Sequence, residues 1–248
     1  MPAAKDRKGV CLVVGAGEGL GGAIARAFAA DGFKVCVTRR PRHLAAVEAL
    51  AQSIRASGGD AEAFGLDARR EEDVIALFDK IEGEMGPLEV VVFNIGANVR
   101  FPVTETTSQV FFKVWEMACL AGFFTGREAA KRMTPRGRGS ILFTGATASL
   151  RGAAGFSAFA SAKSGLRAVA QSLAREMGPK GLHVAHVVVD GMIDGVFARS
   201  LATDVADRLA REEILDPNEI ARNYVWLHKQ GRSAWTFEMD LRPWTESW

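Results

Sequence analysis

A single α/β domain, with one doubly wound parallel sheet of about seven strands and helices on both faces, is what this sequence predicts. Three observations carry that expectation. Short apolar runs, many rich in valine, alternate with stretches of helical spacing along the chain. A glycine cluster, "GAGEGLGG" (Gly15 to Gly22), stands where the first run gives way to the first helix. No linker-like Ser/Gly/Pro segment and no internal repeat breaks the series. Alternating strands and helices imply parallel pairing through right-handed crossovers, the Rossmann-type arrangement, over residues 1–248.

"VCLVVG" (Val10 to Gly15) is a continuous apolar run closed by glycine, as in a strand covered on both faces. "GGAIARAFAADG" has helical spacing and stops at Gly32. "FKVCVT" reads as the second strand, and Arg42 to Ser57 as the second helix, ended by "GGD". "AEAFGLD" and Arg70 to Glu84 repeat the unit, and "LEVVVFN" (Leu88 to Asn94) is the fourth strand. The spacing predicts one long helix over Ser108 to Met133, a strand in "GSILFTG", a long helix over Ser157 to Met177 and a strand in "LHVAHVVVDG". Asp216 can cap a late helix, with Pro217 in its first turn and Glu219 reaching back as in a capping box. "AWTFEMDL" is the expected last strand.

With 48% hydrophobic and 24% charged residues, the 248-residue chain can bury a sizeable core. A formal charge of +2, with no long basic run, argues against nucleic acid or an acidic membrane as the main partner. Cys11, Cys36 and Cys119 form no CxxC pair and read as reduced, buried thiols. No metal site is expected. The polar N-terminus lacks an apolar leader core and no run is long enough to span a bilayer, so a soluble, cytoplasmic protein is expected.

Gly15, Gly17, Gly19, Leu20 and Gly21 make the phosphate-loop candidate. Glycines here permit a tight turn and let backbone N–H groups approach a pyrophosphate at the positive helix end. At the end of the second strand, where an acidic residue would bind a ribose 2′-OH, stand Arg39 and Arg40. Two guanidiniums suit a 2′-phosphate, so NADP is favoured over NAD, the alternative being a solvated basic loop. Glu18, inside the loop, is a contrary sign.

The chain resembles the short-chain dehydrogenase/reductase (SDR) superfamily over nearly its whole length. "GAGEGLG" matches the TGxxxGxG loop, with Val14 in the threonine position, "NIGA" the NNAG segment, and Lys163 the lysine of YxxxK. The resemblance implies that Asp67 and Ala68 contact the adenine and that Asn94 and Gly96 lie near the ribose. It further implies a small-molecule substrate, a covering segment at about 192–215, and a homodimer or homotetramer built on the long helices. In such enzymes a tyrosine transfers a proton beside the hydride step. A lysine lowers its pKa, a serine holds the substrate oxygen, and an asparagine supports a relay.

Here the tyrosine position is Phe159, the serine position Ala146 and the asparagine position Cys119; Lys163 alone is kept. The chain's only tyrosine, Tyr224, lies in the late helix, far along the sequence. Loss of one general acid costs about 10²–10⁴ in rate. Asp190, in the "DG" that replaces the family's "PG" after the sixth strand, is the favoured substitute acid or substrate anchor; its alternative is turn chemistry. His183 and His186 have odd separation and should point to opposite faces as structural residues. Arg100 and Arg151 follow strands and could meet an anionic substrate. Trp244 and Trp248 are candidates for packing into a partner or pocket. An NADP(H)-dependent oxidoreductase with non-standard proton chemistry, Lys163 and Asp190 as its catalytic residues, is the expected function. The alternative is a nucleotide-binding sensor or oligomer partner without turnover.

Overall fold

The computed structural model describes residues 8–201 and 203–246, and Trp248 lies outside them. Seven strands form one parallel sheet in the order β3-β2-β1-β4-β5-β6-β7. They are β1 (Val10–Val14), β2 (Lys34–Arg39), β3 (Asp60–Gly65), β4 (Leu88–Phe93), β5 (Ser140–Thr144), β6 (His183–Val189) and β7 (Glu238–Leu241). The order reverses between β1 and β4, and this topological switch point opens a crevice at the carboxyl ends of the strands.

Alternation along each strand feeds two apolar layers. Cys11 and Val13 join a core with α1 (Leu20–Ala30), α2 (Leu44–Ala56) and α9 (Pro217–Lys229). Val10, Leu12 and Val14 join the opposite core with α3 (Glu71–Glu84), α5 (Ala121–Met133) and α6 (Ser157–Met177). Both faces are covered, which explains why these strands read as unbroken apolar runs.

The long helix predicted over Ser108 to Met133 is interrupted. It comprises α4 (Ser108–Trp115), a π turn at Glu116–Leu120, and α5. Thr107 caps α4 by accepting from the Val110 N–H at 3.2 Å. A smaller apolar cluster, including Val114, Ala118, Cys119, Ala148, Phe159 and Ala162, lies at the start of α6 against α4 and the π turn.

The late helix starts where predicted, with Asp216 accepting from the Asn218 N–H at 2.7 Å. The capping box does not form, because the Glu219 carboxylate turns outward to Arg222 at 2.7 Å. Between β6 and α9 lie α7 (Val196–Leu201) and α8 (Val205–Ala210), and the ends of this segment are tied by a parallel bridge between Ile193 and Leu215. The small residues of α6 divide in two: Ala158, Ala160 and Ala162 are buried, whereas Ser161, Ser164 and Ala168 are exposed. Trp244 is exposed. Among the described residues no helix is long and apolar enough to cross a membrane, and no group of three or more His, Cys, Asp or Glu side chains could hold a metal.

Candidate active site

Two connected cavities occupy the crevice. The smaller, about 310 Å³, runs from the glycine loop to the ends of β2 and β3. The larger, about 1000 Å³, extends from the same loop across the ends of β4, β5 and β6 and beneath α7. They share Gly17, Gly19, Leu20, Arg39, Asn94, Ile95 and Gly96 as wall.

The glycine loop is shaped by close approach. Gly15 has φ +96°, and a Cβ there would come within 2.8 Å of the Asn94 carbonyl oxygen. A Cβ on Gly21 would strike the backbone of Gly15 and Ala16. At Gly19 and Gly96 a Cβ would meet open space, so these two face the cavity and not the core. Gly19 caps α1 without a side chain, and no acidic residue stands in the first helical turn, which leaves N–H groups aimed at an anion. This cradle fits a dinucleotide pyrophosphate.

Every cofactor candidate named from the sequence lines one of the two cavities. Gly15, Gly17, Gly19, Leu20, Gly21, Arg39, Arg40, Asp67, Ala68, Asn94 and Gly96 line the smaller one, and Lys163 lines the larger. Their side chains do different things there. Asn94 braces the loop, its Nδ2 donating to the Gly15 carbonyl at 3.0 Å. Asp67 is held by Arg69 through bonds of 2.8 and 2.5 Å, which keep its carboxyl below the ordinary range. Arg40 is pushed below its ordinary value by burial and then by the neighbouring Arg42, Arg69 and Arg39 charges, with Asp67 opposing. His43, lowered first by desolvation and then by Arg39, Arg42 and Arg40, lines this arginine corner as a neutral ring, its Nε2 accepting from Arg42 at 3.1 Å. Arg69 and His43 were not singled out in the sequence; the runs "RRPRH" and "DARR" hold the signal.

Lys163 is fully buried between the two layers of the crevice floor. Its Nζ donates to the Thr144 carbonyl at 2.9 Å and to the Ile95 carbonyl at 3.1 Å. Burial, uncompensated by any carboxylate, brings its pKa down to about 8. The Phe159 ring lies beside it, 6.0 Å from Nζ to the ring centroid, and forms part of the larger cavity's wall with Ala146.

The remaining departures are packing. A Cβ on Gly165 would come 2.9 Å from the Cys119 Sγ, so the sulfur fills the gap that this glycine leaves. Burial raises the Cys119 pKa, the opposite of what a nucleophilic thiol needs. Arg100 lies against Phe156 at 5.9 Å and outside the cavity wall.

Asp190 requires a correction. It is only 1% exposed and is absent from both cavity walls. Its carboxylate accepts the Thr147 hydroxyl, with the Arg151 guanidinium at 3.5 Å and Arg242 at 3.7 Å. The side chain is taken up by Thr147 and Arg151 and does not form part of either cavity wall. Those two residues, together with Asn98, line the cavity in its place.

Tyr224, distant in sequence, is close in space. Its hydroxyl meets the Thr144 hydroxyl at 2.7 Å, on the same residue whose carbonyl holds Lys163. It is fully buried among α1 and α9 and its pKa is raised by that burial, so it braces β5 and offers no proton to the cavity. His183 and His186 do face opposite ways. His183 stacks on Trp235 at 4.9 Å, and His186 Nδ1 donates to the Glu238 carboxylate at 2.9 Å.

Comparison with known proteins agrees with this geometry. The family model described as short chain dehydrogenase matches residues 9–206. The 3-oxoacyl-[acyl-carrier-protein] reductase of Bos taurus is 31% identical over 209 residues, 84% of this chain and 82% of that protein. The crystal structure of a short-chain dehydrogenase from Rhodopseudomonas palustris is 48% identical with a TM-score of 0.82, covering 96% of this chain and 100% of that one. A putative gluconate dehydrogenase from Agrobacterium tumefaciens is 25% identical with a TM-score of 0.86, over 96% of this chain and 95% of that one. Glycine loop, switch-point crevice and relatives together place this chain in the short-chain dehydrogenase/reductase family of oxidoreductases.

Proposed function

We propose that the chain binds NADP(H) and exchanges a hydride with a carbonyl or alcohol substrate in the larger cavity, with Lys163 in place of a tyrosine at the substrate oxygen. The observation that carries this reading is Lys163 itself. It lines the cavity, uses two N–H groups on neutral carbonyls, and so keeps one of its three for a ligand. Arg39 and Arg40 supply the 2′-phosphate preference.

The cofactor, when bound, supplies the hydride. The residues do the rest. The glycine loop and the start of α1 bind phosphate, and the Arg39 corner selects the phosphorylated ribose. Apolar walls at Phe156, Phe159, Met192 and Ile193 displace water from the reacting oxygen. As the carbonyl carbon gains hydride, the Lys163 ammonium gives its proton to the oxygen, and the resulting amine recovers a proton from water. A pKa near 8 suits that exchange at neutral pH.

Titration of NADPH and NADH, followed by protein fluorescence, tests the cofactor preference. NADPH oxidation over a carbonyl panel tests turnover, and it should vanish in Lys163→Met. Tight NADPH binding with no oxidation across the panel would instead support the second reading, binding without turnover. That reading draws on Phe159, Ala146 and Cys119, none of which carries a hydroxyl or amide. Phe159→Tyr/Ala146→Ser separates the two. A large gain over a measurable wild-type rate fits the first, and activity appearing only in the double variant fits the second.

A further inference from the structure

We propose that the substrate is an amphipathic anion, an oxo or hydroxy acid whose carboxylate is anchored by Arg151 and whose apolar body lies along Phe156, Met192 and Val196. This rests on the hydride-exchange reading above and narrows it to a substrate class.

The charges around the larger cavity carry the proposal. Its wall includes Arg39, Arg151 and Lys163 as cations and Glu18 and Asp194 as carboxylates. Arg39 and Glu18 belong to the glycine-loop end. Asp194 is already neutralised, both oxygens accepting from Arg199 at 3.0 Å. Lys163 bonds only to neutral carbonyls. The substrate end of the cavity therefore presents cations without a free carboxylate on its wall.

Arg151 is the cation with capacity to spare. Its one polar side-chain contact among the described residues is a 3.5 Å approach of a terminal nitrogen to Asp190 Oδ2. Asp190 is 1% exposed and also receives Thr147 and Arg242, while Arg242 pairs again with Asp240. This buried group fixes one end of the guanidinium. The Arg151 side chain is 45% exposed, which leaves its other N–H groups for a ligand.

The rest of the wall is chiefly apolar: Ala146, Ala153, Phe156, Phe159, Met192 and Ile193. A guanidinium beside such a surface can take a carboxylate through two parallel N–H bonds in reduced dielectric, where the pair is stronger than in open water. An amide or alcohol of the same shape lacks the charge. A small, wholly polar anion would leave the apolar wall unfilled.

Binding of non-reactive probes tests this without turnover. Octanoate, octanamide and octan-1-ol are titrated calorimetrically into the full chain, with and without NADPH. Octanoate should bind at least ~10-fold more tightly than octanamide or octan-1-ol in one or both states. Arg151→Gln should erase that preference while NADPH binding is retained, and Arg151→Lys should keep part of it. Equal affinity for the three probes, no octanoate binding in either state, or an unchanged preference in Arg151→Gln would overturn the proposal. Failure of NADPH to bind would strike the cofactor reading alone, since the probe preference is also measured in its absence.

Discussion

Replacing Lys163 with methionine should change how stability depends on pH, by an amount the burial of this one charge sets. Unfolded, a lysine titrates near 10.5; folded, Lys163 titrates near 8, because burial disfavours its ammonium. The folded state therefore binds the proton less tightly. Below pH 8 both states are protonated and the wild type carries the full cost of the buried charge, about 3 kcal/mol. Between pH 8 and 10.5 the unfolded chain binds more protons than the folded one, so stability rises with pH through that window. Methionine cannot titrate and lacks this slope. Other titrating groups are common to both proteins and cancel in the difference. Methionine also leaves the Thr144 and Ile95 carbonyls without their donor, a pH-independent loss of about 1–3 kcal/mol each. Urea unfolding of both proteins at pH 7, 8, 9 and 10 measures the difference. From pH 7 to pH 10 the wild type should gain about 2–3 kcal/mol on the variant, roughly 1 M in midpoint at the slope of a chain this size. A difference that does not move with pH would refute the claim that Lys163 is buried as a lone cation.

Arg39→Ala should weaken NADPH binding by about 10- to 100-fold, the worth of one or more charge-assisted bonds, with little effect on NADH; fluorescence titration of both reads the ratio. Gly21→Ala should destabilise the fold by about 1–3 kcal/mol, because backbone atoms of Gly15 and Ala16 occupy the space its methyl needs; thermal unfolding and NADPH titration should both register the change. Tyr224→Phe should cost about 1–3 kcal/mol by leaving the buried Thr144 hydroxyl without its partner, while NADPH affinity stays near wild type; chemical denaturation checks the first part and titration the second.

Most of the fold was legible because the strands are buried on both faces. "VCLVVG" and "LEVVVFN" could be read as strands from composition alone, and the glycines between "VCLVVG" and α1 fixed the first turn. The π turn was not legible. "EMACL" has ordinary helical residues, and the distortion sits where Cys119 fills the space over Gly165 on another helix. The cofactor loop was read residue by residue, since its glycines answer to local backbone geometry. The direction of the Asp190 side chain is not legible, because it is set by Thr147, 43 residues before it, and by Arg242, beyond β7. Tyr224 is remote in sequence, and the packing of α9 against the sheet brings its hydroxyl to Thr144.

Lys163 has a mechanical consequence as well. By gripping the carbonyl that ends β5 and the one just past β4, it ties the two strand ends together across the floor of the crevice. Across the cavity, Met192, Ile193, Asp194, Gly195, Val196 and Ala198 form part of its wall, and a Cβ on Gly195 would come 4.0 Å from the Gly19 Cα at the phosphate loop. One short stretch thus borders both the phosphate loop and the larger cavity. A side chain placed at Gly195 would therefore reach the loop and the cavity at once, which couples the two ends of the crevice through a single backbone position.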